Sequence, residues 1–175
     1  MQKNSGGDHQ SPPYFWINTT AVINKTDLEK FIETKLADTP YFLVEIKVSK
    51  DNEIKIEIDS MQSVDIDFCI SLSKEIEDAF SRDEEDYELE VGSAGITSPF
   101  KVHNQFLKNI GKEVEVQTRT GKKLTGLLLE AGENDFKIRT EVKFKPEGKK
   151  KYEIKEEEMT FGYDEVNSVK YLLKF

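Results

Sequence analysis

A single cysteine, two histidines and one tryptophan are all that 175 residues hold of those types. The lone Cys69 excludes an internal disulfide framework and suits a reducing compartment, so the cytoplasm is the expected location. His9 and His103 have no second histidine or cysteine at ligand spacing, which leaves no metal site to nominate. No apolar run approaches the roughly 20 residues of a membrane-spanning helix. A basic flank followed by an apolar stretch is missing at the N-terminus, so neither a secretory signal nor a membrane partner is expected. Phosphate-cradling fingerprints of the Walker or dinucleotide type are absent. Gly92-Ser93-Ala94-Gly95 is not the G-x-S-x-G elbow, and Cys69 falls on the apolar face of a predicted helix as a small core residue. The expectation is a protein with no catalytic residue and no cofactor, not an enzyme.

What the chain has in quantity is charge. Charged residues make up 34% and hydrophobic residues 37%, a soluble composition large enough for one or two modest cores. The net charge of −9 conceals an asymmetry: residues 24–92 sum to −12 and residues 93–175 to +3. An acidic half joined to a mildly basic half implies two kinds of contact surface, although a solvating surface without a partner has the same composition.

Residues 1–23 carry Gly6-Gly7, Pro12-Pro13 and the cluster Tyr14-Phe15-Trp16. They read as a loose arm, which either docks on the body or comes from a misplaced start. Residues 24–92 follow as one domain. Leu28, Phe31, Ile32 and Leu36 share a helical face, with Asn24 or Thr26 as the cap. A strand then points Phe42, Val44, Ile46 and Val48 one way, and Asp51-Asn52 turns the chain into Ile54, Ile56 and Ile58. Asp65 or Asp67 caps a second helix with Cys69, Leu72, Ile76 and Phe80 on its face. A third strand runs through Tyr87, Leu89 and Val91. The order is α-β-β-α-β, two helices over one face of a small sheet, in an α+β fold.

The strand breaks into Gly92, Ser93, Gly95 and Pro99, a junction over 93–100 and a candidate contact loop. Residues 101–175 form a second domain. Phe106, Leu107 and Ile110 predict a short helix ending at Gly111. About five short strands come after it, with a bulge or bend at Gly126, and their spacing points to a small β-barrel of SH3 or Sm type.

Charge supplies the other candidate sites. Asp83, Glu84, Glu85 and Asp86 form an acidic loop suited to a basic protein partner. Arg119, Lys122 and Lys123 surround one hairpin tip; Lys143, Lys145, Lys149, Lys150 and Lys151 surround another. Such tips can follow RNA phosphate without reading sequence, or they are solvated turns that keep edge strands from pairing. Gly92-x-x-Gly95 matches the bare G-x-x-G of KH domains, but there the loop joins two helices, and here it follows a strand; a structural turn is the favoured reading.

Ile56-Glu57-Ile58-Asp59-Ser60, Asp65-Ile66-Asp67-Phe68-Cys69 and Leu89-Glu90-Val91 into Ser93-x-Gly95 and Pro99 resemble the ribosome maturation factor RimP family. So do Gly111 to Val116, Gly121-Lys122-Lys123-Leu124-Thr125-Gly126 and the ending Val169-Lys170-Tyr171-Leu172. The resemblance covers about residues 25–175 in one order. It implies an N-terminal domain with a type II KH-like path, followed by an Sm-like barrel. It also implies binding, as a non-catalytic chaperone, to the free small (30S) ribosomal subunit during its maturation. The partners would be 16S rRNA and small-subunit ribosomal protein twelve. A monomer is expected. The family usually has Ser-Ser-Pro-Gly and then Asp-Arg-Pro at the junction; Ser98 stands where its arginine would be, so any phosphate contact of that arginine is made otherwise or lost. The segment Glu147–Thr160 resembles a local elaboration of the barrel. A general RNA-binding regulator of Sm or KH type is the other reading, and a net charge of −9 weighs against it.

Overall fold

Residues 23–174, apart from 82, 84 and 85, are described by the computed structural model; residues 1–22 of the N-terminal arm, Glu84 and Glu85 lie outside the described residues. Asn24 is the cap that the first helix uses. Its Oδ1 accepts the Thr26 N–H at 2.9 Å and opens α1 (Lys25–Leu36), which satisfies one of the amides left unpaired at a helix start. Leu28, Ile32 and Leu36 are buried one turn apart. The helix stops where Asp38 turns left-handed, at φ 62°.

β1 (Tyr41–Val48) and β2 (Glu53–Ser60) form an antiparallel hairpin. Asp65 caps α2 (Ile66–Ala79), accepting from the Asp67 N–H at 3.0 Å. This helix carries the chain across so that β3 (Glu88–Ser93) can lie parallel to β2, in the order β1-β2-β3; a parallel pair needs such a crossover. Ile54, Ile56 and Ile58 are sealed beneath the two helices, where Phe31 and Phe80 meet edge to face with ring centroids 5.6 Å apart.

Plain alternation fails in the first half of β1. A bulge between Leu43 and Glu45 inserts Val44 as an extra residue. Tyr41 and Leu43, rather than Phe42, therefore join Ile46 and Val48 against the core. One inserted residue inverts every side chain on its far side.

In the second unit α3 (His103–Lys108) buries Gln105 and Phe106, while Leu107 and Ile110 are exposed. Of the expected trio only Phe106 is buried, because six residues give a single inward turn. Gly111, at φ 81°, ends the segment. β4 (Glu113–Thr118), β5 (Lys123–Ala131), β6 (Asp135–Phe144) and β7 (Glu153–Gly162) form an antiparallel meander. After a 3-10 turn at Tyr163–Glu165, β8 (Val166–Tyr171) returns beside β4, giving the order β7-β6-β5-β4-β8. β7 and β8 are the two edges and no ladder joins them, so the sheet is open and not the closed barrel expected from the strand spacing. The Phe100 N–H donates to the Val169 carbonyl at 2.7 Å, so the junction segment takes up part of the β8 edge.

Gly126 is no bulge. The irregularities in this sheet fall between Leu128 and Glu130 and between Gln117 and Thr118. Glycine is needed at 126 because a Cβ there would lie 2.5 Å from the Arg139 carbonyl oxygen. Phe136, 1% exposed, centres the second core, with the rings of Phe106, Phe161 and Tyr163 between 5.4 and 5.7 Å away. Among the described residues no helix is long and apolar enough to cross a membrane.

Candidate functional site

The sheet face turned away from the helices is polar. Strand alternation puts Lys55, Glu57 and Asp59 there, with Glu45 directly opposite Glu57. Two lysines of the second unit reach this face. Lys101 Nζ donates to Glu57 Oε2 at 2.8 Å and to Glu45 Oε2. Lys108 Nζ lies 2.6 Å from Asp59 Oδ1, both side chains being largely buried. The Lys101 ammonium, with help from Lys47 at 3.1 Å, holds the Glu45 carboxyl below the usual carboxylate range against the opposing pull of burial. Hydrogen bonds to Glu45 and Glu57 in turn push Lys101 above the ordinary lysine value. The Lys101 N–H is fixed on Gln105 Oε1 at 2.7 Å, so α3 aims the lysine. Sequence reasoning missed this clamp; its one local signal is a carboxylate at each outward position at the end of β2.

The junction loop lies beside the clamp. Gly92 belongs to β3, opposite Glu57, and Ser93 is opposite Ile58, so the strand runs on through the first glycine. The chain leaves the sheet at Ala94, whose N–H donates to the Ile58 carbonyl at 2.9 Å. Gly95 to Ser98 then form a turn closed by a 2.9 Å bond from the Ser98 N–H to the Gly95 carbonyl, and Pro99 leads to Phe100. Neither glycine has a positive φ. A Cβ on Gly92 would meet nothing within 4 Å, so the structure gives no reason for glycine at 92. Between the two units lies an open cleft of about 380 Å³, lined in part by Gln62, Ser93, Ile96, Asn109 and Lys112.

The acidic loop sits at the other end of the first sheet. Asn52 Nδ2 donates to the Asp86 carbonyl at 3.4 Å, and the Glu88 N–H to the Asn52 carbonyl at 3.1 Å, which ties the loop to the β1–β2 turn. Asp83 is held by its N–H on Ser81 Oγ at 3.2 Å. Its neighbours Glu84 and Glu85 are outside the described residues.

The two basic hairpins emerge from the same end of the second sheet. β5 pairs with β6 no further than Gly126 opposite Thr140, and there the β4–β5 and β6–β7 hairpins part. Gly121, at φ 84°, makes the first tip. There Lys123 lies 3.8 Å from Glu115, while Arg119 and Lys122 have no ion-pair partner among the described residues. At the second tip Lys149 pairs with Glu153; Lys143, Lys145, Lys150 and Lys151 have no ion-pair partner among the described residues. Six of the eight cations thus have no ion-pair partner among the described residues.

Residues 31–97 match the family model described as the RimP N-terminal domain. The protein named Ribosome maturation factor RimP from Porphyromonas gingivalis is 39% identical over 139 residues, which is 79% of this chain and 91% of that protein. Its namesake from Christiangramia forsetii is 33% identical over 153 residues, 86% of this chain and 99% of its own. That of Flavobacterium psychrophilum is 34% identical over 115 residues, 65% and 74% of the two chains. The chain belongs to the ribosome maturation factor RimP family.

Proposed function

We propose that this protein acts in maturation of the small (30S) ribosomal subunit. It binds the free subunit in the cytoplasm as a non-catalytic chaperone, holds an immature arrangement of 16S rRNA and protein, and then leaves. The observation that carries this reading is the separation of charge: −12 over residues 24–92, against two basic hairpin tips gathered at one end of the second sheet. A maturing subunit offers both signs, phosphate and basic protein. The acidic loop Asp83–Asp86 is assigned to a basic ribosomal protein, with small-subunit ribosomal protein twelve as the named candidate. The tips carrying Arg119, Lys122, Lys123, Lys143, Lys145, Lys149, Lys150 and Lys151 are assigned to rRNA phosphate. Gly92, Ser93, Gly95 and Pro99 form the contact loop between them. Opposite charges steer association and let it reverse without chemistry.

In this reading residues 24–92 are a KH-like unit of type II path, 93–100 a junction and 101–175 an Sm-like unit with an open sheet. The test is sedimentation of a cell extract through sucrose. Co-migration with free small subunits, and absence from intact ribosomes and polysomes, is expected. Protein found only at the top of a low-salt gradient refutes the reading. Reversing the charge of Asp83, Glu84, Glu85 and Asp86 together weakens co-sedimentation without unfolding the protein; unchanged co-sedimentation removes the loop from the interface.

A further inference from the structure

Past Thr140, β6 and β7 have only each other. Their register continues without a break from Glu141 opposite Glu156 to Phe144 opposite Glu153, while β5 has already turned away. The result is a two-stranded ribbon standing clear of the sheet, and a ribbon of this kind adds little to stability. It nevertheless carries two of the most exposed large apolar side chains among the described residues, Tyr152 at 69% and Ile154 at 61%. Ile154 shares a ribbon face with its partner Lys143, and Tyr152, one residue before β7 begins, lies two positions from Ile154 in the chain. Lys150 and Lys151 precede Tyr152 directly. The Tyr152 ring is thus presented to solvent, outside both hydrophobic cores, beside lysines that have no ion-pair partner among the described residues.

We infer that the distal half of this ribbon is a single-stranded RNA-binding arm, in which Tyr152 stacks on a base while Lys143, Lys145, Lys150 and Lys151 hold the flanking phosphates. It rests on the reading that the basic hairpins touch RNA, and it adds which form of RNA and which side chain. Single strands offer a base face to an aromatic ring; in a duplex that face is covered by its neighbours, and the deep, narrow major groove of RNA excludes side chains. The ribbon also limits its own footprint. Toward its base Glu141 faces Glu156, and Glu158 holds Arg139 at 3.2 Å. Phosphate is repelled there, so the strand is confined to the distal half.

The test measures fluorescence anisotropy of a labelled ten-nucleotide single-stranded RNA, and of a ten-base-pair RNA duplex, against the full chain at low salt. The single strand is expected to bind more tightly than the duplex. Tyr152→Ala should weaken single-strand binding roughly 5- to 150-fold, the range for loss of one stacked base, and Tyr152→Phe should restore most of it. Lys150→Glu with Lys151→Glu should weaken both ligands. All three positions are exposed, and circular dichroism checks that each variant is folded. If Tyr152→Ala binds as wild type, or the duplex binds as tightly as the single strand, while the lysine variant is impaired, the stacking arm is overturned and the phosphate reading stands. If the lysine variant binds both RNAs as wild type, the arm and the RNA reading of this hairpin fall together.

Discussion

Lys101→Met tests whether charge holds the two units together. The substitution keeps most of the aliphatic stem and removes the ammonium that bridges Glu45 and Glu57. The lost contacts are partly exposed, the lysine side chain being 29% accessible. Ion pairs near the surface contribute about 0.2–1 kcal/mol each. A second effect adds to this: Glu45 and Glu57 lie directly opposite on antiparallel strands, and like charges so placed destabilise by roughly 0.2–1 kcal/mol. Lys47, 3.1 Å from Glu45, offsets part of that repulsion. The expected loss is therefore about 1–2 kcal/mol, centred on the first unit. For a domain of this size each kcal/mol corresponds to roughly 4–8 °C in Tm, which calorimetry at low salt resolves. Raising sodium chloride to 0.5 M should shrink the difference between variant and wild type, since screening acts on exposed pairs. A variant that melts within a degree of wild type at low salt would show that the clamp is incidental to stability.

Three further outcomes follow from the same geometry. The clamp's contribution should be flat across neutral pH and fade at both ends. Glu45 is depressed, so its share is present above the ordinary 4.5 and lost as pH falls through its lower folded value. Lys101 is raised, so its share is present below the ordinary 10.5 and lost as pH climbs through its higher folded value. Urea melts of wild type and Lys101→Met should therefore converge in acid and in strong alkali, and a gap of constant size would contradict this. Gly126→Val should destabilise the second unit by about 1–3 kcal/mol or more, because the new Cβ meets the Arg139 carbonyl at 2.5 Å; a urea midpoint equal to wild type would refute the close approach. Phe136→Ala, which empties the middle of an aromatic cluster, should cost about 3–5 kcal/mol in the same assay.

Local pattern carried much of this architecture, and long-range pairing carried the rest. The α-β-β-α-β order was legible because each element there shows its own period: Leu28, Ile32 and Leu36 for a helix, Ile54, Ile56 and Ile58 for a strand. The Val44 bulge was invisible, since Tyr41-Phe42-Leu43-Val44 is apolar throughout and either alternation fits it. Gly126 stood out as special, but its reason, the approach of β6, lies in another strand. The charged hairpin tips were readable as runs of lysine. Lys101 and Lys108 were not, because their partners sit on β1 and β2, and nothing local distinguishes a lysine that crosses between units from one that faces water.

The parallel pairing of β2 with β3 also sets an order in time. Neither the β1–β2 hairpin nor α2 can finish the first sheet; it must wait until residues 88–93 have been made and brought back over the helix. Such non-local pairing slows folding relative to hairpins that close on themselves. The second sheet grows strand by strand, yet its β4–β8 pairing joins its two ends in sequence, and the Phe100–Val169 bond seats the junction only after that. During synthesis the acidic unit is thus complete first, with the carboxylates of Glu45, Glu57 and Asp59 still without Lys101 and Lys108. The clamp can close only after residues 101–108 have followed that unit, and a chain stalled before them would keep those carboxylates exposed.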